Sequence, residues 1–209
     1  MTVLATDDFN RANSADLGTS WDVVTGNQSF QITSNAATPL NVVLDAAESY
    51  NAVTWPNDQY SQVLIPVVGT GVLGSGTGVG VRISASVETL YRIVVSDSGS
   101  EMGKFVTGTF TQLATNSTVW ANGDTAYTSV VGTTLQVKRN GTNLYSGTDS
   151  AIASGRAGIT HSSTSQAGVN VDNWEGGDFV GAGRTTRNTL AAPLGSHLGR
   201  GLWTHGGSG

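Results

Sequence analysis

The chain has 209 residues, of which 28 are glycine, none is cysteine and only 12% are charged, and its formal net charge at pH 7 is −5. Without cysteine the protein has no disulfide framework, no thiolate nucleophile and no cysteine-ligated zinc. Abundant Gly, Thr, Ser, Asn and Val are typical of a turn-rich all-β protein rather than a helical one.

Short runs of alternating apolar and polar residues follow one another from the N-terminus, at the spacing expected of a β-sandwich. They predict strands at residues 3–9, 21–24, 29–33, 41–45, 59–68, 78–84, 89–97, 102–106 and 110–114. Residues 35–39 are expected to form a connecting loop, and Pro66 indicates an edge or a bulge at its end of the 59–68 run. Arg82 and Arg92 alternate with apolar neighbours, which predicts a half-solvated sheet face.

The clearest local signal is the Asn140-Gly141 pair between two alternating segments. Type I′ turns need positive φ at both central residues, which Asn and Gly tolerate. The pair therefore predicts a β-hairpin that joins strands at residues 134–139 and 142–146. Another strand is expected to begin after Gly155.

Three separate stretches carry a further pattern. Residues 134–159 contain Thr-Leu-x-Val-x-x-Asn-Gly, then Thr-Asp, then Gly-x-Ala-Gly-Ile; residues 7–21 contain Asp-Asp-Phe-Asn-Arg and then Leu-Gly-x-x-Trp; residues 171–174 are Val-Asp-Asn-Trp. They resemble the late hairpin, the first strand with its entry loop, and the closing strand of concanavalin-A-like (laminin-G-like) domains. The resemblance covers residues 3–179 and implies an all-β, antiparallel jelly-roll β-sandwich, with frequent sugar binding and no single chemistry.

The composition changes abruptly at residue 180. Residues 1–179 hold 7 basic and 15 acidic side chains, a net charge of −8, whereas residues 180–209 hold three arginines and no acid, a net charge of +3. Pro193 and eight glycines oppose a stable helix in the second segment. We expect a concanavalin-A-like β-sandwich at residues 1–179 and an extended, basic, Gly-rich C-terminal arm at residues 180–209 that orders on another subunit. The expected partner-binding residues of the arm are Arg184, Arg187, Leu190, Leu194, Leu198, Arg200, Leu202 and Trp203.

Asp7, Asp8 and Asp172 are expected to converge, because related sandwiches place the first and last strands side by side. Such carboxylates either accept hydrogen bonds from loop amides or bind Ca²⁺ through their oxygen atoms. The sequence favours the structural role and leaves a structural Ca²⁺ as the alternative. No other cofactor is expected.

Four aromatic residues are candidates for a platform under a sugar ring: Trp55, Tyr60, Trp120 and Tyr127. Trp55 and Trp120 have polar, turn-like neighbours, which suggests that they are exposed in loops. Trp21 and Trp174 lie within strand patterns and are predicted to be core residues.

The sequence contains no evident catalytic constellation. Glycoside hydrolases of this fold carry a Glu-x-Asp-x-x-Glu strand, which this chain lacks. Glu175 and Asp178 are three residues apart and are expected to point to opposite faces of a strand. A serine triad needs an oriented histidine, but His161 lies in a serine-rich stretch that reads as a solvated turn. We predict no catalytic residues and no enzymatic activity.

Three functions from different classes remain open. The first is a bacteriophage structural protein, a capsid decoration or other virion accessory protein, displayed in multiple copies and bound to other virion subunits through residues 180–209. The second is a carbohydrate-binding or adhesion module with glycan partners. The third is a glycoside hydrolase or lyase.

Charge and hydropathy narrow the partners and the location. Nucleic-acid binding is unfavourable for a domain of charge −8, and three arginines in the arm are few for a phosphate contact surface. No signal peptide, transmembrane segment or membrane partner is expected, since the chain has no basic and apolar leader and no long apolar run. The expected location is the virion, assembled in the host cytoplasm.

Deleting residues 180–209 should abolish incorporation into the particle and leave the sandwich folded, because the arm is the expected attachment. Co-sedimentation with particles and thermal unfolding of the truncated protein measure the two effects. Incorporation of the truncated chain at the wild-type level would contradict the attachment role.

Overall fold

The computed structural model describes residues 1–162 and 169–179. The arm expected at residues 180–209, with its arginines, leucines and Trp203, lies outside the described residues. Within them the chain forms fifteen strands and no helix, hence no helix of the length and hydropathy that a membrane span requires. The strands are β1 (Thr2–Asp7), β2 (Trp21–Val23), β3 (Phe30–Thr33), β4 (Ala36–Pro39), β5 (Ala46–Tyr50), β6 (Gln59–Val67), β7 (Gly76–Ser84), β8 (Thr89–Ser96), β9 (Gly99–Val106), β10 (Thr109–Asn116), β11 (Asp124–Val131), β12 (Thr134–Arg139), β13 (Thr142–Thr148), β14 (Arg156–Ser162) and β15 (Asn170–Asp178).

The strands form two antiparallel sheets that pack face to face. The first sheet has the order β13-β12-β11-β6-β15-β4-β3, and β1 also pairs with β15. The second has the order β10-β9-β8-β7-β14-β5-β2. The predicted all-β sandwich is confirmed.

The core lies between the sheets, where alternate residues of the central strands meet. Fully buried examples from β6, β7, β8 and β14 are Val63, Val79, Ile93 and Ile159, each 0% exposed. Burying a side chain of this size stabilises the fold by roughly 1.5–3 kcal/mol. Trp21 and Trp174 are core residues, as predicted, with ring centroids 4.8 Å apart.

Two predictions about pairing are confirmed. Asn140 and Gly141 have φ of 50° and 79°, and they join β12 to β13 as an antiparallel hairpin. The first and last strands lie side by side, with Thr2 opposite Asp178 and Asp7 opposite Trp174. A register irregularity between β15 and β6 at residues 170–172 lies beside Pro66, at the end of β6 where the proline indicated a bulge.

Other boundaries differ from the predictions. Residues 41–45 are not a strand, because the side chain of Asn41 accepts the N–H of Val43 and turns the chain there. The segment expected to be a loop at residues 35–39 contains β4. β11 was missing from the predicted strands, since its polar residues, Thr128 and Ser129 among them, hide its alternation although both are buried.

The half-solvated face predicted for Arg82 and Arg92 is wrong, because the two side chains are 4% and 7% exposed. Arg92 packs its guanidinium over Phe105 and Phe110 and lies 3.3 Å from a carboxylate oxygen of Asp45. His161 is on β14 and is 0% exposed, so the solvated turn expected there is wrong as well. Burial lowers the pKa of His161.

Glu48 of β5 is a carboxyl group held in the interior, 2% exposed and opposite the core residue Ile159. Its Oε1 accepts the backbone N–H of Phe30 at 2.6 Å. Burial raises the pKa of Glu48 to about 7; the hydrogen bond opposes this shift, and the charges of Asp16 and Asp22 add to it.

This pKa predicts that the free energy of unfolding falls as the pH rises. In the unfolded chain Glu48 ionises near its ordinary pKa of 4.5, whereas in the folded protein it stays protonated up to about pH 7. Its contribution is therefore complete below pH 4.5 and is lost by pH 7. The free energy of unfolding of Glu48→Gln should exceed that of wild type by up to about 3 kcal/mol above pH 7 and should equal it below pH 4.5.

Urea unfolding at the two ends of this pH range measures the difference. Glu88→Gln is the matched control, because Glu88 lies in a loop and hydrogen-bonds the side chain of Asn27. A pH dependence that is the same in wild type and Glu48→Gln would contradict the assignment.

Candidate functional site

The pairing of β1 with β15 gathers acidic side chains at one groove of about 470 Å³. We call it the acidic groove; its walls are Thr6, Asp7, Asp8, Asn173, Trp174 and Glu175. Between Asp172 and Glu175, β15 carries one more residue than the facing segment of β6. This bulge includes Asn173, whose φ of 49° is left-handed, and it re-aims the side chains of the groove.

Asp7 is the structural member of the groove. Its Oδ1 accepts the N–H of Phe9 at 2.9 Å and Nη1 of Arg11 at 2.6 Å. Its Oδ2 accepts Nε1 of Trp21 at 2.9 Å and Nη2 of Arg11 at 3.1 Å. Both oxygens are therefore used to fix the first loop against the core, the role that the sequence favoured.

The other carboxylates are more open. Asp8 is exposed, and its Oδ1 accepts the N–H of Asn10 at 3.0 Å. Burial raises the pKa of Asp172; the N–H of Asn173 opposes the shift, and the negative charges of Asp8 and Asp7 add to it. These aspartates are thus close enough to interact, as expected from the strand order.

Glu175 is oriented by a tyrosine. The hydroxyl of Tyr60 donates to Glu175 Oε1 at 2.6 Å. Burial and the neighbouring carboxylate raise the pKa of Tyr60, so the phenol remains a donor at physiological pH. One oxygen of Glu175 is therefore fixed at the groove.

The geometry does not form a ready metal centre. Among residues 1–162 and 169–179, no group of three or more His, Cys, Asp or Glu side chains is placed to hold a metal ion. The two oxygens of Asp7 are occupied by Arg11 and Trp21. A structural Ca²⁺ on Asp7, Asp8 and Asp172 stays a prediction.

The four candidate aromatic residues do not form one platform. Tyr60 and Tyr127 stack on each other with centroids 5.7 Å apart and are 3% and 5% exposed. Trp55 is half-buried, packs against Trp174 at 6.2 Å and donates its Nε1 to the Tyr50 carbonyl. Tyr60 and Trp55 thus contact residues of the acidic groove rather than presenting a bare ring.

The loop exposure expected for Trp120 is wrong, because its side chain is 1% exposed. The guanidinium of Arg139 lies 5.9 Å from its ring centroid. Arg139 is held there by Asp124, whose Oδ2 accepts Nε at 2.6 Å. The polar neighbours of Trp120 in the sequence did not indicate that Arg139, from β12, lies over its ring.

A second groove, of about 500 Å³, was absent from the sequence predictions. We call it the Arg82 groove; Asn57, Asp58, Arg82, Thr133, Ser150 and Ile152 are among the residues that line it. They come from four separate segments of the chain. No local motif joins these segments. The only feature of the sequence that pointed to the groove was Arg82, a charged residue inside an apolar, Gly-rich run.

Comparisons with known proteins define the class of fold. No protein-family model matches the sequence, and no curated protein matches it. Among solved structures, the carbohydrate-binding module CBM66 from Bacillus subtilis superposes with a TM-score of 0.57 at 15% identity, over 79% of this chain and 96% of its own. The exoplasmic/lumenal domain of VIP36, in a Ca²⁺/Man-bound form, gives 0.57 at 12% identity over 80% and 86%.

LamAcat from Zobellia galactanivorans gives a TM-score of 0.52 at 7% identity, over 84% of this chain and 95% of its own. At such identities the likeness establishes the fold alone. The described part of the chain is a jelly-roll β-sandwich of the concanavalin-A-like type, as its resemblance implied.

Removing the charge of Asp7 tests the structural role against the calcium role. Asp7→Asn should lower the free energy of unfolding by about 1–3 kcal/mol, because the ionised acceptor of Arg11 is lost inside the fold. Asp8→Asn is the matched control and should change it little, since Asp8 is exposed.

The same measurements are made in chelator and in excess Ca²⁺. If the role of Asp7 is purely structural, the melting temperature of the wild-type protein should be the same in chelator and in excess Ca²⁺. A rise in melting temperature that Ca²⁺ causes in wild type and not in Asp8→Asn would contradict the purely structural role.

Proposed function

We propose that this protein is a glycan-binding module and that the acidic groove contacts the glycan. The observation that carries the proposal is a groove of about 470 Å³ beside the β15 bulge, with the exposed Asp8 and the oriented Glu175 on its walls. The fold adds support, because CBM66 is a carbohydrate-binding module and the VIP36 domain was solved with Man bound.

The chemistry of the groove suits sugar hydroxyls. A carboxylate accepts hydrogen bonds at both oxygens, so neighbouring hydroxyls of one sugar ring can donate to it together. Asp8 and Glu175 supply such acceptors, and the amide of Asn173 both donates and accepts. Trp174 is 1% exposed and belongs to the core, so the polar side chains of the walls make the contacts with the sugar.

The charge of the groove selects among glycans. Asp7 is neutralised by Arg11, and Asp8 and Glu175 leave the groove negative. Uronic, sialylated and sulfated glycans are repelled, whereas neutral and amino sugars are accepted. The groove therefore fits a neutral or amino-sugar glycan.

The virion role depends on residues 180–209, which lie outside the described residues, and it stays a prediction. It is compatible with glycan binding, since a particle can display the sandwich toward surface glycans. The hydrolase alternative predicts turnover rather than binding, and assays on laminarin-like and alginate-like polymers distinguish the two.

A glycan array followed by calorimetry tests the proposal. Glu175→Gln keeps the shape of the side chain and its contact with Tyr60 but removes the charge, and it should weaken binding about tenfold, as expected for one charge-assisted hydrogen bond. Asp8→Ala should have an effect of similar size.

Glu88→Gln, which removes a carboxylate outside the groove, serves as the control and should bind like wild type. Absence of binding to every neutral and amino-sugar glycan on the array would overturn the proposal. Unchanged affinity in both groove variants would also overturn the placement of the site.

A further inference from the structure

The Arg82 groove opens at the end of the sandwich where β6 begins and β7 ends. It has a volume of about 500 Å³, and none of the residues that line it belongs to the acidic groove. Gln59, beside Arg82, and Gln62, opposite Glu175, are three positions apart on β6, ~10 Å at the rise of a strand. The two grooves are therefore separate sites on one domain.

The guanidinium of Arg82 is held rigidly at the base of this groove. Its Nε, Nη1 and Nη2 donate to the backbone carbonyls of Asn57, Ile152 and Gly132, at 3.0, 2.6 and 2.7 Å. Its own N–H donates to Gln59 Oε1 at 3.1 Å, with a left-handed φ of 51°. The side chain is 4% exposed, so it is fixed before any ligand arrives.

Hydrogen-bonding capacity is left over on both members of the Arg82–Asp58 pair. A guanidinium has five N–H donors, and three are used by the carbonyls. Asp58 Oδ1 accepts the N–H of Gly132 at 2.7 Å and lies 3.9 Å from Nη2 of Arg82. Among the described residues, Oδ2 of Asp58 accepts no hydrogen bond, and the Asp58 side chain is 39% exposed.

The charge and shape of the groove define the ligand. One cation and one anion face the groove. Asp58 therefore repels an acidic group of a ligand, and Arg82 repels a basic group. A spare donor beside a spare acceptor matches a group that does both, such as a hydroxyl. The hydroxyls of Thr133 and Ser150 add to this polar wall, and Ile152 with its neighbour Ala153 supplies apolar surface.

We propose that the Arg82 groove is a second saccharide site, which takes a neutral sugar residue through the Arg82–Asp58 pair. The proposal rests on the proposed function in that the ligand is a glycan, and it adds a second point of contact. Two sites on one rigid domain hold one long chain more tightly than either site alone, because the second contact forms at a high effective concentration.

Paired variants test the second site with a neutral saccharide that is chosen from the array and is too short to occupy both grooves at once. Asp58→Asn keeps the acceptor for Gly132 and removes the charge; Thr133→Val removes a groove hydroxyl. Each should lower the calorimetric stoichiometry from two to one, or weaken one of two binding phases about tenfold. Thr134→Val is the matched control, since Thr134 is an exposed neighbour that does not line the groove, and it should leave both phases intact.

The outcomes separate this proposal from the proposed function. Loss of binding in Glu175→Gln with no change in Asp58→Asn and Thr133→Val overturns the second site and leaves the acidic groove standing. A wild-type stoichiometry of one also overturns it. Tighter binding of a uronic-acid oligosaccharide than of its neutral counterpart overturns the neutral class of ligand.

Discussion

The pairing of β1 with β15 is the constraint on which most of the structure depends. It adds a strand beside β15 and brings the two ends of the domain together, with Asp7 opposite Trp174. The Asp7 carboxylate on β1 accepts Nε1 of Trp21, which lies on β2 of the other sheet. The same pairing makes the acidic groove, since β1 and the residue after it form one wall and β15 the other. The same strand, β1, thus carries the anchor of the first loop and one wall of the acidic groove.

Charged groups inside the sandwich are accommodated in three different ways. An arginine cannot lose its proton in a protein, so a buried guanidinium must be hydrogen-bonded or packed against π-electrons. Arg82 takes backbone carbonyls, whereas Arg92 takes two phenylalanine rings and Asp45. Glu48 has one N–H partner and instead keeps its proton up to about pH 7. The cost of burial is thus offset in the arginines by fixed partners, whereas in the glutamate it makes the stability depend on pH.

Much of the scaffold could be predicted from the sequence, because its signals are local. The Asn140-Gly141 turn and the core positions of Trp21 and Trp174 depend on neighbours in the chain. The convergence of the aspartates followed from the family resemblance. The environments of Trp120 and Arg82 could not be predicted, because Arg139 covers the first and three distant segments surround the second. Polar neighbours in the sequence indicate that a residue is exposed to solvent only where no residue from a distant strand covers it.

The anchoring of Arg82 on main-chain oxygens has a consequence for how this groove can vary among distant homologues. Substitution at Asn57 or Ile152 leaves the carbonyl acceptors where they are, so the walls can change while the guanidinium stays in place. Lysine at this position would lose the planar fork that reaches three carbonyls at once. Related grooves are therefore recognisable by one arginine and a path of backbone carbonyls, and the side chains of the walls can change without rebuilding the base.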